Sequence, residues 1–238
     1  MAPRIVRPST FKQYKNLLAK DMQQEFRTKE MLTSMGIYAL LVLVVYGAAL
    51  AQTSSTLDIL QMSGGLLWAL IVFTSLLGLN RSFAHEKEQG CLEGILLVPL
   101  DRSVIFLAKA TSNLLFLLVV EVIAVPMFYF FFLTTVTPSP SFWMVVFPLL
   151  VGTIGVAGIG TLLSTITINT RGKDVMLAVL FIPLIFPLLY ACVSATTVVM
   201  LGSEGYMDTF IQSLTLAGGY DVIMILLSWV LYDFVISA

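Results

Sequence analysis

Few side chains in this sequence of 238 residues could do chemistry, and the most telling of them stand in apolar surroundings. Glu121 and Asp221 each interrupt a long apolar run. A charge at a bilayer centre costs about 3 kcal/mol on insertion scales, so such a group must face protein or water. Each is read either as lining a path or switching at a subunit interface, or as a protonated or hydrogen-bonded structural residue. Asp233 stands near the end of the same run as Asp221 and reads as an interfacial anchor. His85 is the only histidine, which excludes any site needing two histidines within one chain. Cys91 and Cys192 fit no metal-ligand spacing, so neither a metal centre nor a disulfide framework is expected. The sequence contains no His-Glu-x-x-His and no Gly-x-Ser-x-Gly, and Asp221 and Asp233 share one segment rather than facing each other. The only Gly-Lys pair, Gly172-Lys173, lacks the following Ser or Thr and the upstream glycine of a phosphate-binding loop. The chain is therefore expected to be no enzyme, and any ATP hydrolysis must take place on another polypeptide.

A second concentration of functional groups reads Phe83-Ala84-His85-Glu86-Lys87-Glu88-Gln89-Gly90-Cys91-Leu92-Glu93-Gly94-Ile95-Leu96-Leu97-Val98-Pro99-Leu100-Asp101-Arg102. A helix entering this stretch should run to about Gln89, where Gly90 can break it. Leu92, Ile95 and Leu96 then follow at i, i+3 and i+4, which predicts a short helix with one apolar face. Pro99 stops it, and Asp101 can cap the helix that follows. An apolar-faced helix ringed by Glu86, Glu88 and Glu93 suits docking into a groove of a soluble partner. Resting on lipid is the other use of such a face.

The elements that position these groups follow from composition. The sequence is 58% hydrophobic and 11% charged, where a soluble domain carries about a quarter charged residues. The excess apolar surface must face lipid. About 20 apolar residues cross a bilayer core, and six stretches qualify: 32–51, 59–80, 104–133, 142–168, 175–200 and 211–236. Backbone in lipid must satisfy its own hydrogen bonds, so these are predicted helices and the fold class is all-α. The first resembles a signal peptide at Ala49-Leu50-Ala51, but its leader and its apolar run are both too long. Lys and Arg are absent from 52–58, 134–141 and 201–210 and populate the alternate loops. By the positive-inside rule both termini and the 81–103 loop are cytoplasmic. Lys109, five residues into the third span, is expected to snorkel to that side.

Residues 1–31 form a separate cytoplasmic segment before the 32–238 membrane domain. Leu17, Leu18, Met22 and Phe26 recur among Lys and Gln, predicting an amphipathic helix on the inner leaflet. Gly152, Gly155, Gly158 and Gly160 are read as thinning one side of the fourth span, and Pro183 and Pro187 as kinking the fifth. Phe128-Tyr129-Phe130-Phe131-Phe132 reads as an outer interface belt, with a porphyrin platform as the sharper alternative. The eleven methionines read as packing.

On these residues the sequence resembles a family. Glu86-x-x-x-Gly90, Leu92-Glu93, Leu96-Leu97, Pro99, Arg102 and Lys109 resemble the loop of ABC-2-type permeases. Ile105-Phe106-Leu107-Ala108-Lys109-Ala110-Thr111-Ser112-Asn113-Leu114-Leu115-Phe116 is similar to the heme exporter protein B family, as are Gly160-Thr161-Leu162-Leu163-Ser164, Asn169-Thr170-Arg171, Pro183-Leu184-Ile185-Phe186-Pro187 and Asp221. Ala108 departs from the family, which often has Gly there. The resemblance runs from about residue 10 to the end. It implies a six-helix permease in a bacterial inner membrane, paired with a separate ABC ATPase and coupled through Glu86, Glu88, Gly90, Leu92, Glu93, Ile95, Leu96, Pro99 and Arg102. It further implies heme as cargo, other cytochrome c maturation subunits and a heme chaperone as partners, and a homodimer within the complex. No bound cofactor and no nucleic-acid partner are expected. Two other functions remain open: export of a lipid, drug or polysaccharide, and a non-transporting subunit whose ATPase-driven motion releases a heme-loaded chaperone.

Overall fold

A computed structural model describes residues 9–51, 56–88, 102–133, 142–167, 170, 172–202 and 205–237. Helix α1 spans Thr10–Thr28, α2 Glu30–Leu50, α3 Thr56–Glu88 and α4 Arg102–Phe132. A short 3-10 turn, Phe142–Val145, leads into α5 at Val146–Thr167, followed by α6 at Lys173–Leu201 and α7 at Tyr206–Ser237. No strand occurs among the described residues. Six of the helices are long and apolar enough to cross a membrane, in the places that the hydropathy pattern predicts. Helix α3 continues past its apolar part to Glu88, as its charged extension requires. Gly90, Leu92, Glu93, Ile95, Leu96 and Pro99 lie outside the described residues, so the short docking helix expected there does too.

Local chemistry sets the entry to the bundle. Lys29 takes a left-handed conformation (φ 54°) between α1 and α2 and returns its N–H to the Glu25 carbonyl at 2.7 Å. The Glu25 carboxylate then accepts the Leu32 N–H at 2.8 Å, supplying a partner for one of the orphan donors of the first turn of α2. Helix α6 runs unbroken through Pro183 and Pro187. In the turn before Pro187, where the proline ring disturbs the ladder, the Tyr220 hydroxyl of α7 donates to the Leu184 carbonyl.

The core is not evenly shared. Among the spans α5 is the most buried, and α2 and α7 are the least. Helix α3 meets α6 through the Trp68 indole, which donates to Thr196 Oγ1 at 3.0 Å. The aromatic tract of α4 is divided: Phe128 and Phe132 pack inward with ring centres 5.0 Å apart, while Phe130 and Phe131 are exposed.

Candidate functional site

Helix α5 is wrapped by α3, α4, α6 and α7, and the small residues along it explain how. A side-chain carbon added at Gly152 would overlap the Trp68 ring, and one at Gly160 would overlap Leu79, both from α3. Added at Gly155 it would overlap the Asp221 carboxylate and Leu188, and at Gly158 it would press on Ile225. The four glycines therefore do not thin a single side, as their sequence reading has it. At about 100° per residue, Gly152 and Gly160 face α3 while Gly155 and Gly158 face α7. Helix α6 fills the sector between them on one side, with Leu188 at Gly155 and Cys192 at Gly152, and α4 occupies the sector on the other.

The contact with α4 is polar. The Thr153 hydroxyl donates to Glu121 Oε1 at 2.6 Å, and Asn113 Nδ2 donates to Thr161 Oγ1 at 2.9 Å. The two pairs stand about two turns apart on both helices, the register of an antiparallel pair. Glu121 is buried, as are Asn113, Thr153 and Thr161. The Glu121 carboxylate also borders a crevice between α3 and α4 lined by Leu70, Ile71, Thr74, Leu117, Val120 and Ala124.

Asp221 reaches the opposite flank of α5. It is buried, and its Oδ1 has no hydrogen-bond partner among the described residues. Thr153 and Gly155 differ by about 3 Å along the helix and about 200° around it. Glu121 and Asp221 therefore address α5 from opposite faces at one level. Gly155 is the midpoint of the Trp143–Thr167 span, which sets that level near the middle of the membrane.

Toward the other end of α4, Lys109 is buried and does not snorkel to water as predicted. Its Nζ lies 3.3 Å from Asp21 Oδ2 of α1, and the Ser112 hydroxyl donates to the same oxygen at 3.1 Å. Nearby, the rings of Phe106 of α4 and Tyr232 of α7 meet at a tilt, 5.2 Å between centres, and form a small buried cluster with Leu162 of α5.

Of the residues singled out from sequence, Glu121 and Asp221 converge on one helix. Arg102 opens α4, and Glu86 and Glu88 lie in the extension of α3. His85 lies there too, and Asp233 is in α7. Cys192 is a free, buried thiol. Asp21, Asn113, Thr153 and Thr161 were missed. Their signal was present: Lys109, Asn113 and Glu121 recur at multiples of four residues along one apolar span, and Thr153 and Thr161 repeat that spacing in the next.

Comparison with known proteins bears on what this arrangement serves. A family model described as "CcmB protein" matches residues 12–234. Heme exporter protein B of Pseudomonas aeruginosa is 27% identical over 173 residues, covering 73% of this chain and 75% of that protein. The Rhodobacter capsulatus protein of the same name is 26% identical over 145 residues, 61% of this chain and 64% of the relative. That of Paracoccus denitrificans is 28% identical over 129 residues, 54% and 58%.

Proposed function

Since the chain belongs to the CcmB protein family, we propose that it is the membrane permease subunit of an ABC-type system that exports heme for cytochrome c maturation in the bacterial inner membrane. The observation that carries this reading is the family match over residues 12–234, which runs from α1 through every span. Both termini and the 81–103 loop are cytoplasmic, because every Lys and Arg avoids the alternate loops. The partners in this reading are a separate ATPase, which supplies the hydrolysis that this chain has no phosphate-binding loop to perform, a second copy of the chain, the other maturation subunits and a heme chaperone.

The route from ATPase to membrane is short. The 89–101 segment joins the end of α3 to the start of α4, and those two helices hold α5 through Gly152, Gly160, Thr153 and Thr161. A push on that segment is delivered to α5. The glycines of α5 let Trp68, Leu79, Asp221 and Ile225 seat directly on its backbone, so that movement of α3 or α7 passes to α5 through close contact. The carboxylates of Glu121 and Asp221 hold the two flanks of the moving helix at mid-membrane. Heme is cargo here, with no resident cofactor assigned.

Two measurements test this. In a strain lacking its own heme exporter protein B, the wild-type chain should restore heme-stained c-type cytochromes. Asp221→Asn should restore only a small fraction of them at an equal amount of inserted protein. Wild-type output from the mutant would make Asp221 a packing residue. For the coupling segment, Ile95→Ala with Leu96→Ala should release the ATPase in detergent pull-down, each buried anchor contributing about 2 kcal/mol. Glu88→Gln should chiefly alter salt sensitivity. Retention of the ATPase at wild-type stoichiometry by the double mutant would move the docking surface to the 169–174 loop.

A further inference from the structure

The interface between α4 and α5 is polar along one half only. In the antiparallel register that pairs Glu121 with Thr153 and Asn113 with Thr161, the step between them sets Leu117 against Ala157. The step beyond Asn113 sets Lys109 against Thr165. Trp68 at Gly152 and Leu79 at Gly160 fix the height of α3, which puts Thr74 at the level of Ala157. Thr74 and Leu117 both line the crevice at Glu121, so α3 supplies a hydroxyl at the one step where α4 and α5 have none. The crevice has room for about one water molecule. A polar group therefore stands at every turn from Lys109 to Glu121. Outward of Glu121 the same interface offers Val125, Phe128 and Leu149.

Two groups along this seam have no partner. Asn113 Oδ1 and the Ser164 hydroxyl are buried, and neither makes a hydrogen bond among the described residues. Ser164 lies about 20° from Thr153 around α5, so it too faces α4. A carbonyl and a hydroxyl sealed from the surface and unbonded to protein are groups that buried water joins. Glu121 itself is built for either charge state. The Thr153 hydroxyl has one proton and two acceptors, Glu121 Oε1 at 2.6 Å and the Leu149 carbonyl at 2.7 Å. With the carboxylate ionised, the hydroxyl donates to it. With the carboxyl protonated, Glu121 donates to Thr153 Oγ1, which passes its own proton to Leu149, and no heavy atom moves. The other titratable groups of the helices that meet α4 stand apart: Asp21 of α1 at Lys109, Glu30 paired with Arg81 between α2 and α3, and Asp58 in the first turn of α3. Asp221 is on the far flank of α5, α2 adds the phenols Tyr38 and Tyr46, and α5 has no charged residue.

We propose that Glu121 is a proton-binding site reached only from the α1 end of the bundle, through a hydrated seam formed by Asn113, Thr161, Ser164 and Thr74. Hydronium at the α1 end gives up one proton and becomes water, and one O–H bond forms on Glu121; release reverses both. Loading discharges one flank of α5 and unloading restores the charge, so the grip of α4 on that helix follows the proton. The seam ends at Glu121 because the outward steps hold neither hydroxyl nor amide to carry a proton further. Only the statement that the α1 end faces the cytoplasm rests on the orientation proposed above.

The test uses the full chain with an N-terminal tag, in phosphatidylcholine vesicles selected for outward-facing tags, and follows the protonated-carboxyl stretch by infrared spectroscopy. The difference between the parent and Glu121→Gln isolates the Glu121 band. Lowering the external pH should raise that band, whereas lowering the internal pH at fixed external pH should leave it unchanged. In heavy water the band should shift about tenfold more slowly in Asn113→Leu, and in Thr74→Val with Ser164→Ala, than in the parent. Ser213→Ala, near the other end of α7, should exchange at the parent rate. Amide bands in the same spectra report whether Asn113→Leu remains helical, and the variants that lose only hydroxyls carry the comparison if it does not. No Glu121 band at any pH, or one that never changes with pH, would overturn the site. Unchanged exchange in the seam variants would overturn the route, and a response to internal pH would overturn the one-sided access. Because the tag marks the α1 end directly, none of these outcomes depends on which compartment it faces or on the cargo.

Discussion

Lys109→Met should destabilise the chain by about 3–5 kcal/mol, because it strips the partner from a buried carboxylate. The Asp21 and Lys109 side chains are each only 9% exposed, and they are 3.3 Å apart. Lys20, at 3.7 Å from the other Asp21 oxygen, is more exposed and can replace little of the lost interaction. The cost is expected to be mostly the stranded charge and not the intrinsic value of the pair. A chain carrying Asp21→Leu together with Lys109→Met should therefore recover most of the loss, since well-packed apolar residues commonly replace a buried ion pair without penalty. Once Asp21 is replaced, the Ser112 hydroxyl can turn its single proton to the Ala108 carbonyl, 2.9 Å away, so no new orphan is created. Equilibrium unfolding in mixed detergent, followed by circular dichroism, measures both. A single mutant as stable as the parent would mean that water reaches Asp21 and that α1 is not clamped to α4.

The second large effect is steric. Gly155→Ala should cost about 1–3 kcal/mol, because its methyl group has no room beside Asp221 and Leu188. Gly155→Ala with Asp221→Ala should regain much of that stability, since the carboxylate that blocks the methyl is gone. It should not regain cytochrome c maturation if Asp221 has the role proposed for its carboxylate. Stability by unfolding and output by heme staining thus separate the packing and functional roles of one contact. Additive losses in the double mutant would show that α5 and α7 do not meet at this point, and restored cytochromes would leave Asp221 without a role beyond packing.

Much of this protein is local and so can be read from sequence. A span needs only a run of apolar residues matching the bilayer thickness, and its direction needs only the placement of Lys and Arg; neither depends on which helix packs against which. The absence of a phosphate-binding loop is likewise a property of short sequence. The loop from Glu86 to Arg102 announced itself by residue type, and its resemblance to a known family named the class of machine. Helix packing was not legible in the same way. In water a helix declares its buried face by apolar periodicity, but in lipid the outward face is apolar too, so Gly152, Gly155, Gly158 and Gly160 read as one thinned side when they serve three neighbours. Lys109 read as a snorkelling cation because its distance from the membrane boundary is local, whereas its partner Asp21 stands 88 residues away. Glu121 and Asp221 were each recognisable as costly groups in apolar sequence. That they meet a single helix at one depth was decided only by tertiary structure, because the energy of a buried polar group is set by whichever donors the fold brings beside it.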